Sequence, residues 1–267
     1  MLLPRIFSAV VMAFLFLFAV FFLGAQAFSL SMAAVVVLAA WEWASLSGVK
    51  NQSLRVLFAL LVAAFCYMTA RADWLTMSVM LSPLLWCLAL YWVIRYPTPL
   101  LWQQTPVRLL FGALVMVSTW AALVVLKQSA DFVTWVLLLM GLIWGADSGA
   151  YFAGRRFGKR KLAQYVSPGK SWEGVFGGIV LTQIGVAVFS FWQLYTTQDW
   201  LLLALVALVT TAVSVLGDLT ESLFKRYEGM KDSSHLIPGH GGVMDRVDSL
   251  VAAAPIFVVF LMLTGWL

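Results

Sequence analysis

Between the last two long apolar runs of this chain lies a tract, residues 222–248, that reads SLFKRYEGMKDSSHLIPGHGGVMDRVD. Its 27 residues hold eight of the chain's 29 charged side chains and both of its histidines, in a protein that is 63% hydrophobic and only 11% charged. Charge beside a membrane is costly unless it is solvated or used, so this density marks a site of chemistry. Asp218, Glu221, Ser222 and Lys225 share one face if the helix before the tract continues into it. Asp245 and Asp248, three apart, align at the start of the next helix. Three carboxylates from two helix ends can hold a hard cation such as Mg²⁺ through oxygen. Asp248 alone has a second reading, as the N-cap of the last apolar helix. Two histidines five apart with no nearby cysteine make a poor zinc set.

The turn Pro238-Gly239-His240-Gly241-Gly242 can bring backbone N–H groups close to an anion. Lys225, Arg226, Lys231 and Arg246 flank it. Cations, glycines and oxygen ligands for Mg²⁺ are the parts of phosphoryl or nucleotidyl transfer. A second patch, Ser167-Pro168-Gly169-Lys170-Ser171-Trp172-Glu173-Gly174, puts Lys170 and Ser171 at a turn before a helix, another place for phosphate oxygens. Its glycine spacing is not that of a P-loop. A third, Gly145-Ala146-Asp147-Ser148-Gly149-Ala150-Tyr151, closes an apolar run. His240 reads as a phosphate or turn donor first and as a base second, because a phosphate monoester is mostly ionised at neutral pH; His235 reads as a loop cap.

Positioning these groups falls to membrane helices. A mean hydropathy of +0.94 over 267 residues belongs to an all-α integral membrane protein. Nine apolar runs (5–23, 27–46, 54–70, 74–94, 107–126, 132–153, 174–195, 200–217 and 249–267) are each near the roughly 20 residues of one crossing. They are continuous rather than alternating, against a β-barrel. The first run resembles a signal peptide, with Arg5 before it and Ala25-Gln26-Ala27 after it, but its length favours a retained helix. With nine spans and the N-terminus inside, 15 of the 17 basic residues fall on the cytoplasmic side and only Arg71 and Lys127 outside, as the positive-inside rule requires. The expectation is therefore N-in and C-out, with the polar site at the cytoplasmic interface. Residues 1–130 form an N-terminal region of about five spans with few charges, and 131–267 a catalytic region of about four. Glu42, between Trp41 and Trp43, reads as a solvated or paired boundary residue. Pro97, Pro99 and Pro106 mark a loop of fixed turns, and Cys66 and Cys87 read as small buried hydrophobes.

The tract at 222–248 resembles the signature of the phosphatidate cytidylyltransferases, the CDP-diacylglycerol synthases. The matching positions are Ser222, Lys225-Arg226, Lys231-Asp232, Ser234, Pro238, His240-Gly241-Gly242, Asp245-Arg246 and Asp248. AAWEW at 39–43, IWGADSGAY at 143–151, SPGKSWEG at 167–174 and SVLGDLTES at 214–222 also look like bacterial members. Some members have Lys where this chain has Gly169, which leaves Lys170 as the patch's only central cation. The resemblance implies transfer of CMP from CTP to phosphatidic acid, giving CDP-diacylglycerol and pyrophosphate. It implies Mg²⁺, a second, monovalent cation, a homodimer, no nucleic-acid partner, and a multi-pass protein of the bacterial inner membrane. Carried onto this chain, Asp218, Asp245 and Asp248 are the metal candidates. Lys225, Arg226, His240, Gly241 and Gly242 receive CTP phosphates. Asp147, Lys170 and Ser171 line the site or meet the lipid phosphate, and Ser222, Lys231 and Arg246 complete the substrate set. Two other classes remain to be separated. A transporter would place its polar groups near the midplane in related halves, and a lipid or polyprenol kinase would share the metal and phosphate logic.

Overall fold

The computed structural model describes residues 3–98 and 100–267, with side chains from residue 6 onward; Pro99 and the side chain of Arg5 lie outside the described residues. The chain is a helical bundle: α1 (Leu3–Phe22), α2 (Ala25–Leu46), α3 (Gln52–Arg71), α4 (Leu75–Met80), α5 (Ser82–Arg95), α6 (Thr105–Gln128), α7 (Phe132–Phe157), α8 (Trp172–Trp192), α9 (Thr197–Tyr227) and α10 (Met244–Thr264). Among the described residues eight stretches are long and apolar enough to cross a membrane, α4 and α5 together making one of them. The described part of α1, Ile6–Phe22, is a shorter apolar helix. The fourth expected run is broken at Leu81, where Pro83 opens α5 at its first turn, the one part of a helix that tolerates proline.

Local chemistry sets the helix starts. Asn51 accepts from the Ser53 and Leu54 amides and caps α3; Ser171 accepts from Gly174 N–H and caps α8; Thr196 accepts from Asp199 N–H and caps α9. At 31 residues, α9 extends about 46 Å at 1.5 Å per residue, well beyond the roughly 30 Å hydrocarbon core. Its last turns, from Asp218 to Lys225, exceed what one crossing needs and keep these residues on one face. Between α7 and α8 the sequence reading had only a loop. There Lys161–Ala163 (β1) and Ser167–Ser171 (β2) pair as a short antiparallel hairpin.

The core runs across the division at residue 130. Helix α10 lies at its centre, with Val251 through Val259 buried, packed on α9, α6 and α2. Pro255 sits inside this helix and cannot donate to the carbonyl of Val251. The Thr119 hydroxyl of α6, which also lies 2.6 Å from its own Val115 carbonyl, reaches that Val251 oxygen at 2.9 Å. A neighbouring helix thus satisfies the acceptor that proline orphans. At the other end, a Cβ on Gly217 would collide with the Asp248 carbonyl and the Ala252 methyl. Glycine here lets α9 and α10 approach closely, and so sets Asp218 beside Asp248.

Replacing Thr119 with Val keeps the shape and removes the donor. Thr119→Val is expected to destabilise the protein by about 1–3 kcal/mol, the cost of an unsatisfied buried carbonyl. Thermal unfolding in detergent reads the effect as a lowered midpoint; Ser31→Ala, on a hydroxyl that only back-bonds to its own helix, is the near-silent control.

Candidate active site

The tract 222–248 folds around two buried carboxylates. The first is Glu42, on α2 and fully buried. Val243 N–H donates to its Oε1 at 2.9 Å and Met244 N–H to its Oε2 at 2.5 Å. The Ser234 hydroxyl donates to Oε1 at 2.5 Å and the Ser233 hydroxyl lies 3.1 Å from Oε2. Val243 is the N-cap residue of α10 and makes no side-chain cap. Glu42 supplies that cap from another helix, placing its negative charge on the positive end of the α10 dipole. The boundary reading is corrected in one respect: Glu42 is paired, and it is not solvated.

The second carboxylate is Asp245. Its Oδ2 accepts from Gly242 N–H at 2.8 Å and Ser233 N–H at 2.9 Å, with the Ser233 hydroxyl at 2.9 Å. Its Oδ1 forms an ion pair with Lys225 at 2.8 Å. Lys225 also pairs with Glu221 at 2.5 Å, one turn back on α9. Gly242 is wedged between these groups, and a Cβ there would strike Ser233 Oγ and, at 2.5 Å, Glu42 Oε1. Gly241 has φ +84° and its Cβ would meet Asp245 Oδ2 at 2.7 Å. The glycines expected to admit a phosphate thus admit the protein's own carboxylates, and the Gly242 N–H already has an acceptor.

Beside this knot lies an open cluster. Lys170, at the end of the hairpin, pairs with Asp218 at 2.7 Å, both partly exposed. Ser222 donates to Asp218 Oδ1 at 3.2 Å. Asp147, exposed on α7, stands within electrostatic reach of Asp218, Lys170 and Arg246. Asp248 stands within reach of Asp218, Lys225 and Lys170, and Glu221 within reach of Asp248. The patches from α7, the hairpin, α9 and α10 do converge. Five acidic groups (Asp147, Asp218, Glu221, Asp245, Asp248) meet three basic ones (Lys170, Lys225, Arg246), and Glu221 Oε1 is buried without a hydrogen-bond partner.

Several expected residues are placed otherwise. Asp248 lies a full turn inside α10, which begins at Met244, and accepts from Ser249 N–H, so the N-cap reading fails. Ser171 is buried as the α8 cap, bound to Gly174 N–H at 3.1 Å. Arg226 reaches the Val166 carbonyl at 3.3 Å and ties α9 to the hairpin. Lys231 and His235 are exposed on the loop. Among the described residues no three of His, Cys, Asp and Glu are gathered as a metal-holding group; of the three expected ligands, Asp245 has turned to Lys225 and the loop. His240 is met by α1, where the Ser8 hydroxyl lies 2.7 Å from its Nδ1 and 3.1 Å from the Pro238 carbonyl. Ser8 was missed, since a single serine in an apolar run carries no signal. Cys66 is buried as expected, but Cys87 is exposed on α5.

The model of the cytidylyltransferase family matches residues 3–264. A phosphatidate cytidylyltransferase of Pseudomonas aeruginosa is 45% identical over 268 residues, covering 100% of this chain and 99% of its own length. One from Haemophilus influenzae is 38% identical, covering 97% of this chain and 98% of its own length. One from Bacillus subtilis is 41% identical over 131 residues, 48% of this chain.

The wedged glycine gives a direct check. Gly242→Ala is expected to lower the unfolding midpoint and abolish activity, because Ser233 or Glu42 must move. Gly169→Ala, where a Cβ meets nothing within 4 Å, is expected to leave both unchanged. Equal effects from the two substitutions would contradict the packing role of Gly242.

Proposed function

The chain belongs to the cytidylyltransferase family, and from that premise we propose that it is a phosphatidate cytidylyltransferase whose reaction takes place in the Asp147–Lys170–Asp218–Asp248 cluster. It transfers CMP from CTP to phosphatidic acid and releases pyrophosphate. The lipid phosphate oxygen forms a bond to the α-phosphorus of CTP, and the bond from that phosphorus to the β-phosphate oxygen breaks. The observation that carries the reading is the convergence of acidic and basic groups from four elements at one end of the bundle. Two anions must meet there, and charge builds on the leaving pyrophosphate, so fixed cations stabilise the transition state. Lys170 and Arg246 are placed for phosphate oxygens beside Asp147 and Asp218. Lys225, held between Glu221 and Asp245, keeps the floor of the cluster in register. The ionised lipid phosphate is already nucleophilic near neutral pH, so no base is required, and His240 serves the turn that Ser8 secures.

The chemistry of these carboxylate oxygens suits a hard divalent cation, although no three of them are gathered around one point among the described residues. Acidic groups outnumber basic ones by five to three, and Glu221 Oε1 is buried with no hydrogen bond while its Oε2 pairs with Lys225. Asp218 and Asp248 would hold Mg²⁺, with Glu221 beside them, while Asp245 stays with Lys225. The ion would screen the substrates' phosphates as a Lewis acid. A second, monovalent cation has the same oxygens to draw on. A homodimer in a bacterial inner membrane, with the site facing the cytoplasm, completes the reading. The 15-to-2 division of basic residues supports that orientation.

CTP labelled at its α-phosphate should pass label into phosphatidate, and γ-labelled nucleotide should not; the reverse would identify a kinase. Asp248→Asn should lower kcat by about 10²–10³-fold and raise the Mg²⁺ concentration needed for half-maximal rate, with an unchanged unfolding midpoint. Wild-type Mg²⁺ dependence would remove Asp248 from the metal set. For orientation, His235→Cys in a Cys87→Ser background should resist a membrane-impermeant maleimide in intact cells and react once they are lysed. Ready labelling in intact cells would invert the topology.

A further inference from the structure

Helices α7 and α8 touch closely at the site end and part below it. A Cβ on Gly149 would meet the Gly177 carbonyl at 2.6 Å, and one on Gly178 the Ala146 carbonyl at 2.7 Å. These glycines serve close helix packing. Gly141, Gly145 and Gly185 do not. A Cβ on Gly141 or Gly185 meets nothing within 4 Å, and one on Gly145 only the Thr182 methyl at 3.5 Å. All three line a groove of about 750 Å³ between the helices. Its walls are single faces of α7, from Val133 to Ser148, and of α8, from Leu181 to Gln193, and they are overwhelmingly apolar. Along α7 the groove runs about 22 Å at 1.5 Å per residue, longer than one leaflet of a roughly 30 Å core. It ends at Ser148, next to Asp147, where the charges of Lys170, Arg246 and Asp218 are felt.

We propose that this groove seats an acyl chain of the lipid substrate, with the glycines keeping its floor open and Lys170 meeting the phosphate at its head. The proposal rests on the phosphatidate reading and specifies where that substrate lies. A polar end that carries Lys170 and Arg246 among carboxylates, joined to a long apolar trough, suits a lipid whose phosphate is met by those two cations. A helix from a second copy would bury the exposed Asp147 and Ser148 against apolar surface, which is unfavourable.

Two measurements test the placement. Gly141→Leu and Gly185→Leu, which fill open space, should raise KM for dioleoyl phosphatidate about tenfold, the loss of roughly two buried methylenes. KM for CTP, and turnover of dihexanoyl phosphatidate, should stay at wild-type values. Equal effects on both lipids, or none, would overturn the groove, as would a changed oligomeric state in light scattering with unaltered chain-length dependence, which would mark an interface between copies. Phosphatidate carrying a diazirine at the end of one acyl chain should label peptides of residues 133–148 and 181–193, and unlabelled phosphatidate should compete. This readout needs no turnover. Labelling of the groove without CMP transfer would refute the reaction and keep the groove; transfer with labelling elsewhere would refute the groove and keep the reaction.

Discussion

A single buried carboxylate, Glu42, holds the polar half of this protein against its apolar half. It receives the amides of Val243, the N-cap of α10, and Met244, its first residue, and two serine hydroxyls from the preceding loop. A helix N-terminus buried without acceptors leaves several N–H groups unsatisfied, each at a cost comparable to a lost hydrogen bond. Glu42 removes that cost and fixes where α10 begins. The start of α10 sets the heights of Asp245 and Asp248, and the glycine contact at Gly217 sets Asp218 against them. A carboxylate on α2 therefore sets the geometry of the carboxylates on α10, with Ser233 between it and Asp245.

Around Glu42 the charges sort into two kinds. Asp245, Lys225 and Glu221 are bound to one another and to the loop, and they act as a scaffold. Breaking a buried pair of this kind leaves an uncompensated charge and costs several kcal/mol. Asp147, Lys170, Asp218 and Arg246 are partly or fully open. The division accounts for why so many charged residues are needed: part of the set holds the rest in place within an otherwise apolar helical bundle, where unpaired charge is costly.

Much of this was legible in the sequence. Each apolar run became a helix except the fourth, which splits at Leu81 into α4 and α5, and the spacing of Asp218, Glu221, Ser222 and Lys225 correctly placed them on one continuing helix. The convergence of three separated patches was also readable, because each carried glycines and charges in an otherwise apolar chain. What escaped has a physical reason. Glu42 sits between two tryptophans, so its surroundings resemble an interfacial belt; its partners are nearly two hundred residues away, and two of the four are backbone amides, which leave no trace in sequence. Asp248 had a second reading as a cap because the apolar run begins after it, but Glu42 caps in trans and lets α10 start a turn earlier. Gly241 and Gly242 were read as open to phosphate because glycine permits close approach without saying what approaches. Thr119, which answers Pro255, was invisible for the same reason as Ser8: one hydroxyl in an apolar helix has no periodicity.

The most direct measurement is amide hydrogen exchange across residues 233–248 in the wild type and in Glu42→Gln, paired with turnover of both proteins. Glutamine keeps the size but turns an N–H₂ toward groups that all donate. If Glu42 holds the start of α10, exchange at Val243 and Met244 accelerates about tenfold or more, protection in the α6 core is unchanged, and turnover falls with it. Wild-type protection at these amides, or full turnover after protection is lost, would contradict the role of Glu42 in setting the site.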